Sequence, residues 1–219
     1  MAEVSLAPPT EHHMTSLQPI TPQLLEDLTA VESLMMEEEE EQACCAGKML
    51  EGDTNMFGSL LHMADHCLYK IVRWARNLPD FANVSTDDQI LLLQNCWAEL
   101  LCICTCWNSI RTPGQLRISY GRTLSLDQAH MMGVGDLVER LLNFADVLRE
   151  YEIDAYEFVA MKALRLLTPD VKNLKNEGVI RQQQELLLDA LTDYTTTHFP
   201  KCPQKFSRLL ALLPQLSRS

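Results

Sequence analysis

The stretch from Trp74 to Trp97, WARNLPDFANVSTDDQILLLQNCW, constrains this chain more than any other. It encodes the end of one long helix, a short turn and the start of a second. Apolar residues at Phe57, Leu60, Leu61, Ala64, Cys67, Leu68, Ile71, Ala75 and Leu78 recur at helical spacing. Pro79 disfavours the helical conformation at Leu78 and lacks an N–H, so the first helix should stop there. Ser85 or Thr86 can cap the second helix, and Asp87 and Asp88 suit its positive end. From Gln89 onward the sequence is nearly all apolar, which predicts burial on most sides. Arg76 stands at the end of the first helix. Gln89, Ile90 and Leu93 stand on the first turns of the second.

The rest of the chain reads as helices joined by short turns. Residues 1–18 carry Pro8 and Pro9 and no apolar period, and are expected to be disordered. Thr21-Pro22 can open a helix with Leu24, Leu25, Leu28, Val31 and Leu34 on one face. Glu37 to Glu41 is a like-charge run, read as a solvated linker or frayed helix end. Thr112-Pro113-Gly114 marks a turn, and the alternation of Leu116, Ile118 and Tyr120 predicts a strand or hairpin. Helices are expected over Leu126–Met132, around Leu137 to Leu148, over Tyr156–Leu167, from about Val179, and from Lys205 to roughly Leu216. The segments 89–107 and 156–167 are apolar on too many sides to lie at a surface, so they should form a middle layer.

Charge and cysteine usage narrow the function. The formal charge is −12. Residues 1–50 hold ten acids and one base (Lys48), leaving only −3 on the remainder. Nothing basic enough to touch DNA is present. No apolar run reaches the ~18 to 20 residues of a membrane span. The N-terminal residues lack a basic region followed by an apolar one, the mark of a secretory signal. None of the eight cysteines form a C-x2-C pair, so no zinc site of the usual spacing exists. On a helix, Cys102 and Cys106 share a face and Cys104 points elsewhere; buried cysteines of this kind act as small hydrophobes. His62 and His66 are four apart, as in H-E-x-x-H, but position 63 is Met63 rather than glutamate. No catalytic constellation and no metal site emerge.

The pattern Trp74-Ala75-Arg76, Phe81, Asp88-Gln89 and Leu91-Leu92-Leu93 resembles the signature of the nuclear receptor ligand-binding domain, spanning its third to fifth helices. The continuation Leu93-Gln94-Asn95-Cys96-Trp97-Ala98-Glu99-Leu100-Leu101 resembles the subfamily of steroidogenic factor, liver receptor homologue and fushi-tarazu factor. Met63-Ala64-Asp65, Glu157-Phe158-Val159 with Lys162, Asp170-Val171-Lys172-Asn173-Leu174 and Asp193-Tyr194-Thr195 agree. Ala64-Asp65-His66, Leu68-Tyr69-Lys70-Ile71-Val72 and Thr112-Pro113-Gly114 look more like its invertebrate sister branch. The likeness runs from about Pro19 to Leu216. It implies one all-α, layered domain over residues 19–219, of about nine helices with one small β-ribbon, preceded by a hinge-like segment 1–18. It also implies that the chain ends partway through the tenth helix, before the activation helix and its acidic clamp residue. Weak coactivator binding and a tendency to aggregate are the consequences expected of that.

The resemblance carries two sites. In such receptors a short L-x-x-L-L helix from a coregulator docks between the third and fourth helices, a helix-in-groove mode. Matched to the motif, the groove comprises Tyr69, Val72, Arg76, Thr86, Gln89, Ile90, Leu93 and Gln94. Arg76 is suited to the C-terminal carbonyls and negative dipole end of the bound helix. An apolar ligand pocket is implied among Met63, His66, Cys67, Ile71, Leu101, Thr105, Leu124, Met131 and Leu141. It would hold a phospholipid or other apolar ligand, or be filled by the chain's own side chains. No other cofactor is implied. The resemblance further implies a nuclear transcription factor, expected to be monomeric, reaching DNA only through a separate zinc-finger domain and touching no membrane. The alternatives are a truncated regulatory or dominant-negative isoform and a plain helical scaffold without ligand. Leu209-Leu210-Ala211-Leu212-Leu213 itself matches L-x-x-L-L and is read as the apolar face of the last helix.

Overall fold

The computed structural model describes residues 19–33, 56–79, 81–119 and 122–216, with the backbone alone over 56–63 and at 119 and 216. Its order is α1 (23–33), α2 (Met56–Arg76), a 3-10 turn (Phe81–Asn83), α3 (Thr86–Ser109), β1 (Gln115–Ser119), β2 (Arg122–Ser125), α4 (Leu126–Met131), α5 (Gly135–Glu150), α6 (Ala155–Leu166), α7 (Glu177–His198) and α8 (Lys205–Leu216). Where about nine helices were expected, the described residues form eight α-helices and one 3-10 turn. Residues 1–18, where disorder is expected, and the acidic run Glu37 to Glu41 lie outside the described residues.

The middle layer is built as its composition demands. α6 buries every side chain from Glu157 to Leu164 and again Leu166. Burying a Val, Leu or Phe side chain contributes roughly 1.5–3 kcal/mol, so this short helix is held by its surroundings rather than by its own propensity. α3 runs beside it and touches α2, α5, α6, α8 and β1. Its buried face is Asp88, Leu92, Cys96, Leu100, Ile103 and Cys106, the spacing of one helical stripe. Burial on most sides is not what α3 shows, however: Ile90 is 49% exposed and Trp97 45%. By length and hydropathy α3 could cross a membrane. Here its apolar stripe is spent on the five elements around it.

The ends of the helices follow from local chemistry. α2 stops at Arg76, two residues before the expected Leu78. The N–H groups of Asn77 and Leu78 turn back to Trp74 and Ala75, tightening the last turn ahead of Pro79. Ser85 caps α3 by accepting from the Asp88 N–H. Capping boxes open α4 (Ser125 with Gln128) and α6 (Asp154 with Glu157). Gly133, at φ 76°, ends α4 in the left-handed region that favours glycine. Gly135 has a different reason. A Cβ there would lie 2.0 Å from the His130 ring, so α5 can start this close only without one.

The ribbon is a two-stranded antiparallel hairpin pairing Leu116 with Leu124, with a bulge between Arg117 and Ser119. Leu116 and Ile118 face inward, as the alternation predicts, and so does Leu124; Tyr120, the third alternating position, lies outside the described residues. In α8, Leu209 and Leu212 are buried, so this L-x-x-L-L match turns its first and fourth positions into the core.

Candidate functional site

The corner between α2 and α3 is set by the residues that join them. Phe81 and Val84 are buried in the connector and pin it to the core. The Gln89 side-chain amide reaches back from the first turns of α3 and donates to the carbonyls of both, at 3.1 Å and 2.8 Å. Asp88, fully buried beside it, accepts the backbone N–H groups of Lys175 and Asn176 at 2.9 Å each. Burial raises the Asp88 pKa, but these two N–H groups, the Ser85 hydroxyl and the Lys175 charge outweigh it and hold the carboxyl below its ordinary 3.8. The Asp88-Gln89 pair therefore fixes the corner onto the α6–α7 connector.

On that frame stands an unusual surface. Leu68, Tyr69 and Val72 are exposed on α2 and Ile90 and Trp97 on α3, with Tyr69 at 63%. Leu93 is half-buried against the core between them. Arg76 is exposed at the end of α2, and Thr86 and Gln94 are exposed on α3. Of the eight groove residues expected from sequence, seven present surface at this corner. The eighth, Gln89, has its amide committed to the connector. Leu68, one of the helically spaced apolar residues of α2, and Trp97, outside the expected groove set, both add exposed apolar surface. The signal for Trp97 was its place seven residues after Ile90, on the same helical face.

The expected pocket residues are less uniform. Ile71, Leu124 and Leu141 are buried in the core, and His66, Cys67, Leu101 and Thr105 are half-buried. The Thr105 hydroxyl donates to the Leu101 carbonyl at 2.8 Å. The side chain of Met63 lies outside the described residues. Met131 is a correction: it is 80% exposed and lines no interior space. It ends a short helix whose inward residue is Ala129, and Met132, one position on, is the methionine packed on the core.

Two largely buried ion pairs brace the layers below the corner. Lys162 Nζ lies 2.7 Å from Glu32, tying α6 to α1. Arg165 pairs with Glu99, tying α6 to α3. A third buried contact, Lys205 to Glu157 at 3.2 Å, ties α8 to α6. Burial pushes Glu157 up to about 7, against the lowering effects of the Asp154 N–H and of Lys205. The Tyr194 hydroxyl donates to Asp154 at 2.6 Å and adds α7 to the same joint. Sequence reading missed these joints. The D-x-x-E spacing of Asp154 and Glu157 was a readable signal, but pairs 66 and 130 residues apart were not. Among the described residues no group of three His, Cys, Asp or Glu could hold a metal.

Comparison with known proteins agrees with this frame. The sequence profile of the ligand-binding domain of nuclear hormone receptor matches residues 48–219. Steroidogenic factor 1 of Notamacropus eugenii is 35% identical over 73% of this chain and 36% of its own length. Nuclear receptor subfamily 5 group A member 2 of Mus musculus is 36% identical over 73% of this chain and 30% of its own. Steroid hormone receptor ERR2 of Rattus norvegicus is 29% identical over 93% of this chain and 47% of its own. The chain thus spans about a third to a half of the length of these relatives. A match over this much of the chain, on a layered helical fold with its signature residues holding one corner, means that the chain belongs to the family of nuclear hormone receptor ligand-binding domains, which are regulators of transcription and not enzymes.

Proposed function

We propose that this domain docks L-x-x-L-L helices of coregulators on the α2–α3 corner. We further propose that it belongs to a receptor of the steroidogenic factor and liver receptor homologue group, on the invertebrate fushi-tarazu-factor side. The carrying observation is the exposure of Leu68, Tyr69 and Val72 on α2 and of Ile90 and Trp97 on α3, with the cation Arg76 exposed at the end of α2. Contiguous exposed apolar surface rimmed by charge marks a binding site. Its placement on two helices suits an amphipathic helix laid between them. Arg76 supplies the charge that the C-terminal carbonyls of such a helix lack. For the whole receptor we propose DNA contact through a separate domain, action in the nucleus as a monomer, and recruitment of coregulators; resemblance to the family supports this reading.

The test is a fluorescence-polarisation titration of a labelled L-x-x-L-L peptide against the wild-type chain, Arg76→Ala and Ile90→Arg. Saturable binding is expected for the wild type. It should fall about tenfold for Arg76→Ala, the loss of one charge-assisted hydrogen bond of about 1.4 kcal/mol, and to background for Ile90→Arg. Because both positions are solvent-facing, the three melts should stay within a degree or two of each other. A well-folded wild type that binds no peptide refutes the reading and leaves the scaffold or dominant-negative alternative.

For the ligand site we propose that the space near Ile71, Leu101, Thr105, Leu124 and Leu141 is closed by the chain's own side chains rather than by a phospholipid. The burial of Ile71, Leu124 and Leu141 supports this. Native mass spectrometry of the purified domain should give the bare mass. A co-purified phospholipid adduct contradicts it.

A further inference from the structure

The connector between α6 and α7 runs from Leu167 to Asn176 without helix and carries two exposed lysines, Lys172 and Lys175. Around the second the sequence reads Leu174-Lys175-Asn176-Glu177: an apolar residue, a lysine, any residue and an acid. Of the seven lysines in the chain, Lys175 alone is flanked in this way. Lys172 also follows an apolar residue, Val171, but has Leu174 where the acid would stand. A four-residue pattern carries little weight without its structural context.

That context is a held backbone with open side chains. The N–H groups of Lys175 and Asn176 donate to the buried Asp88 carboxylate at 2.9 Å each. Asn173 turns the chain just before them, at φ 69°. The Lys175 side chain is 65% exposed, and its ammonium rests 2.5 Å from Asp87, which is itself exposed. An ion pair this open to water contributes little and exchanges readily. Glu177 is the first residue of α7 and pairs with Arg181 at 2.6 Å, again in the open. Leu174 is half-buried and keeps part of its side chain at the surface. The tetrad is thus anchored through its backbone and presents its lysine and its acid to solvent.

We propose that Lys175 is a conjugation site for a small ubiquitin-like modifier, attached by a conjugating enzyme that reads an apolar residue before the lysine and an acid two places after it. Leu174 meets the enzyme's apolar groove, Glu177 its cationic rim, and Lys175 reaches its cysteine, which carries the modifier as a thioester. The hydrogen bond and charge of Asp87 hold the Lys175 pKa above its ordinary value, so the amine reacts only once the enzyme's site has taken its proton. The amine then attacks the thioester carbonyl. The C–N bond forms, the C–S bond breaks, and the cysteine leaves as a thiolate that takes up a proton. Lysine is the side chain that accepts such attachment, and its charge is lost in the isopeptide. The product loses the ion pair to Asp87 and places a folded domain beside the first turn of α3. The proposal stands independently of the coregulator reading.

The test incubates the folded wild-type domain with the activating enzyme, the conjugating enzyme, the modifier and ATP, follows conjugation by gel shift, and maps the attachment by peptide mass spectrometry. A single conjugate at Lys175 is expected. Lys175→Arg, which keeps a cation beside Asp87, should abolish it. Glu177→Gln should slow it about tenfold, the loss of one charge-assisted contact. Lys172 and Lys201, both exposed, should stay unmodified and serve as comparisons within the same molecule. The wild type therefore decides even if a variant melts early. No conjugate on the folded wild type, attachment at Lys172 or Lys201 as fast as at Lys175, or an unchanged rate in folded Glu177→Gln overturns the proposal.

Discussion

Asp88 and Glu157 are both buried carboxyls, and their surroundings send them in opposite directions. Asp88 accepts the backbone N–H groups of Lys175 and Asn176, so Asp88→Ala removes both bonds from the corner. We expect a loss of about 3 kcal/mol, read as a lower chemical-denaturation midpoint at unchanged slope. Because its folded pKa lies below 3.8, the stability from Asp88 is present above that pH and lost as pH falls through the folded value. Glu157 is raised from 4.5 to about 7, so the folded state keeps a proton that the unfolded state releases. Between those values stability must fall as pH rises. Glu157→Gln, which cannot ionise, should remove that slope. Its melting temperature relative to wild type should climb from pH 5 to pH 8, and a constant difference across that range would show that Glu157 does not titrate there.

The helices themselves were legible because each carries its own punctuation. Thr21-Pro22, Ser85, Gly133 and Pro203 flank helices that lie within a few residues of where the apolar period places them. Alternation also predicted the ribbon, and the nearly continuous apolar run predicted the burial of α6. It failed where burial depends on neighbours that sequence does not name. Leu68 keeps helical spacing with Cys67 and Ile71 yet is exposed, and the nearly continuous apolar run of α3 is covered along one stripe only. Met131 and Met132 show the same limit at finer grain, since one residue is 100° of helix and decides inside from outside. The ties between helices were invisible for the same reason. Glu99 and Arg165 are mostly buried, and only the fold makes them partners. Glu99→Ala should therefore cost roughly 3 kcal/mol by stranding Arg165. Glu99→Ala with Arg165→Ala should cost less than the two single changes added together. Strict additivity in denaturant titrations would mean the pair is not coupled.

Taken as a whole, the molecule separates what holds it from what it offers to a partner. Asp88 and Gln89, two of the most telling letters in the sequence, face inward and make the α2–α3 corner rigid. Tyr69, Val72, Arg76, Ile90 and Trp97 face outward on that frame and carry no part of the core. The proposed groove residues were readable as a set because they share a motif with the frame. Their division into frame and surface required the structure. The most direct test is hydrogen–deuterium exchange of the domain with and without a saturating L-x-x-L-L peptide. The account predicts added protection confined to peptides covering residues 65–78 and 86–98, with α7 unchanged. Protection elsewhere with none at the corner would contradict it.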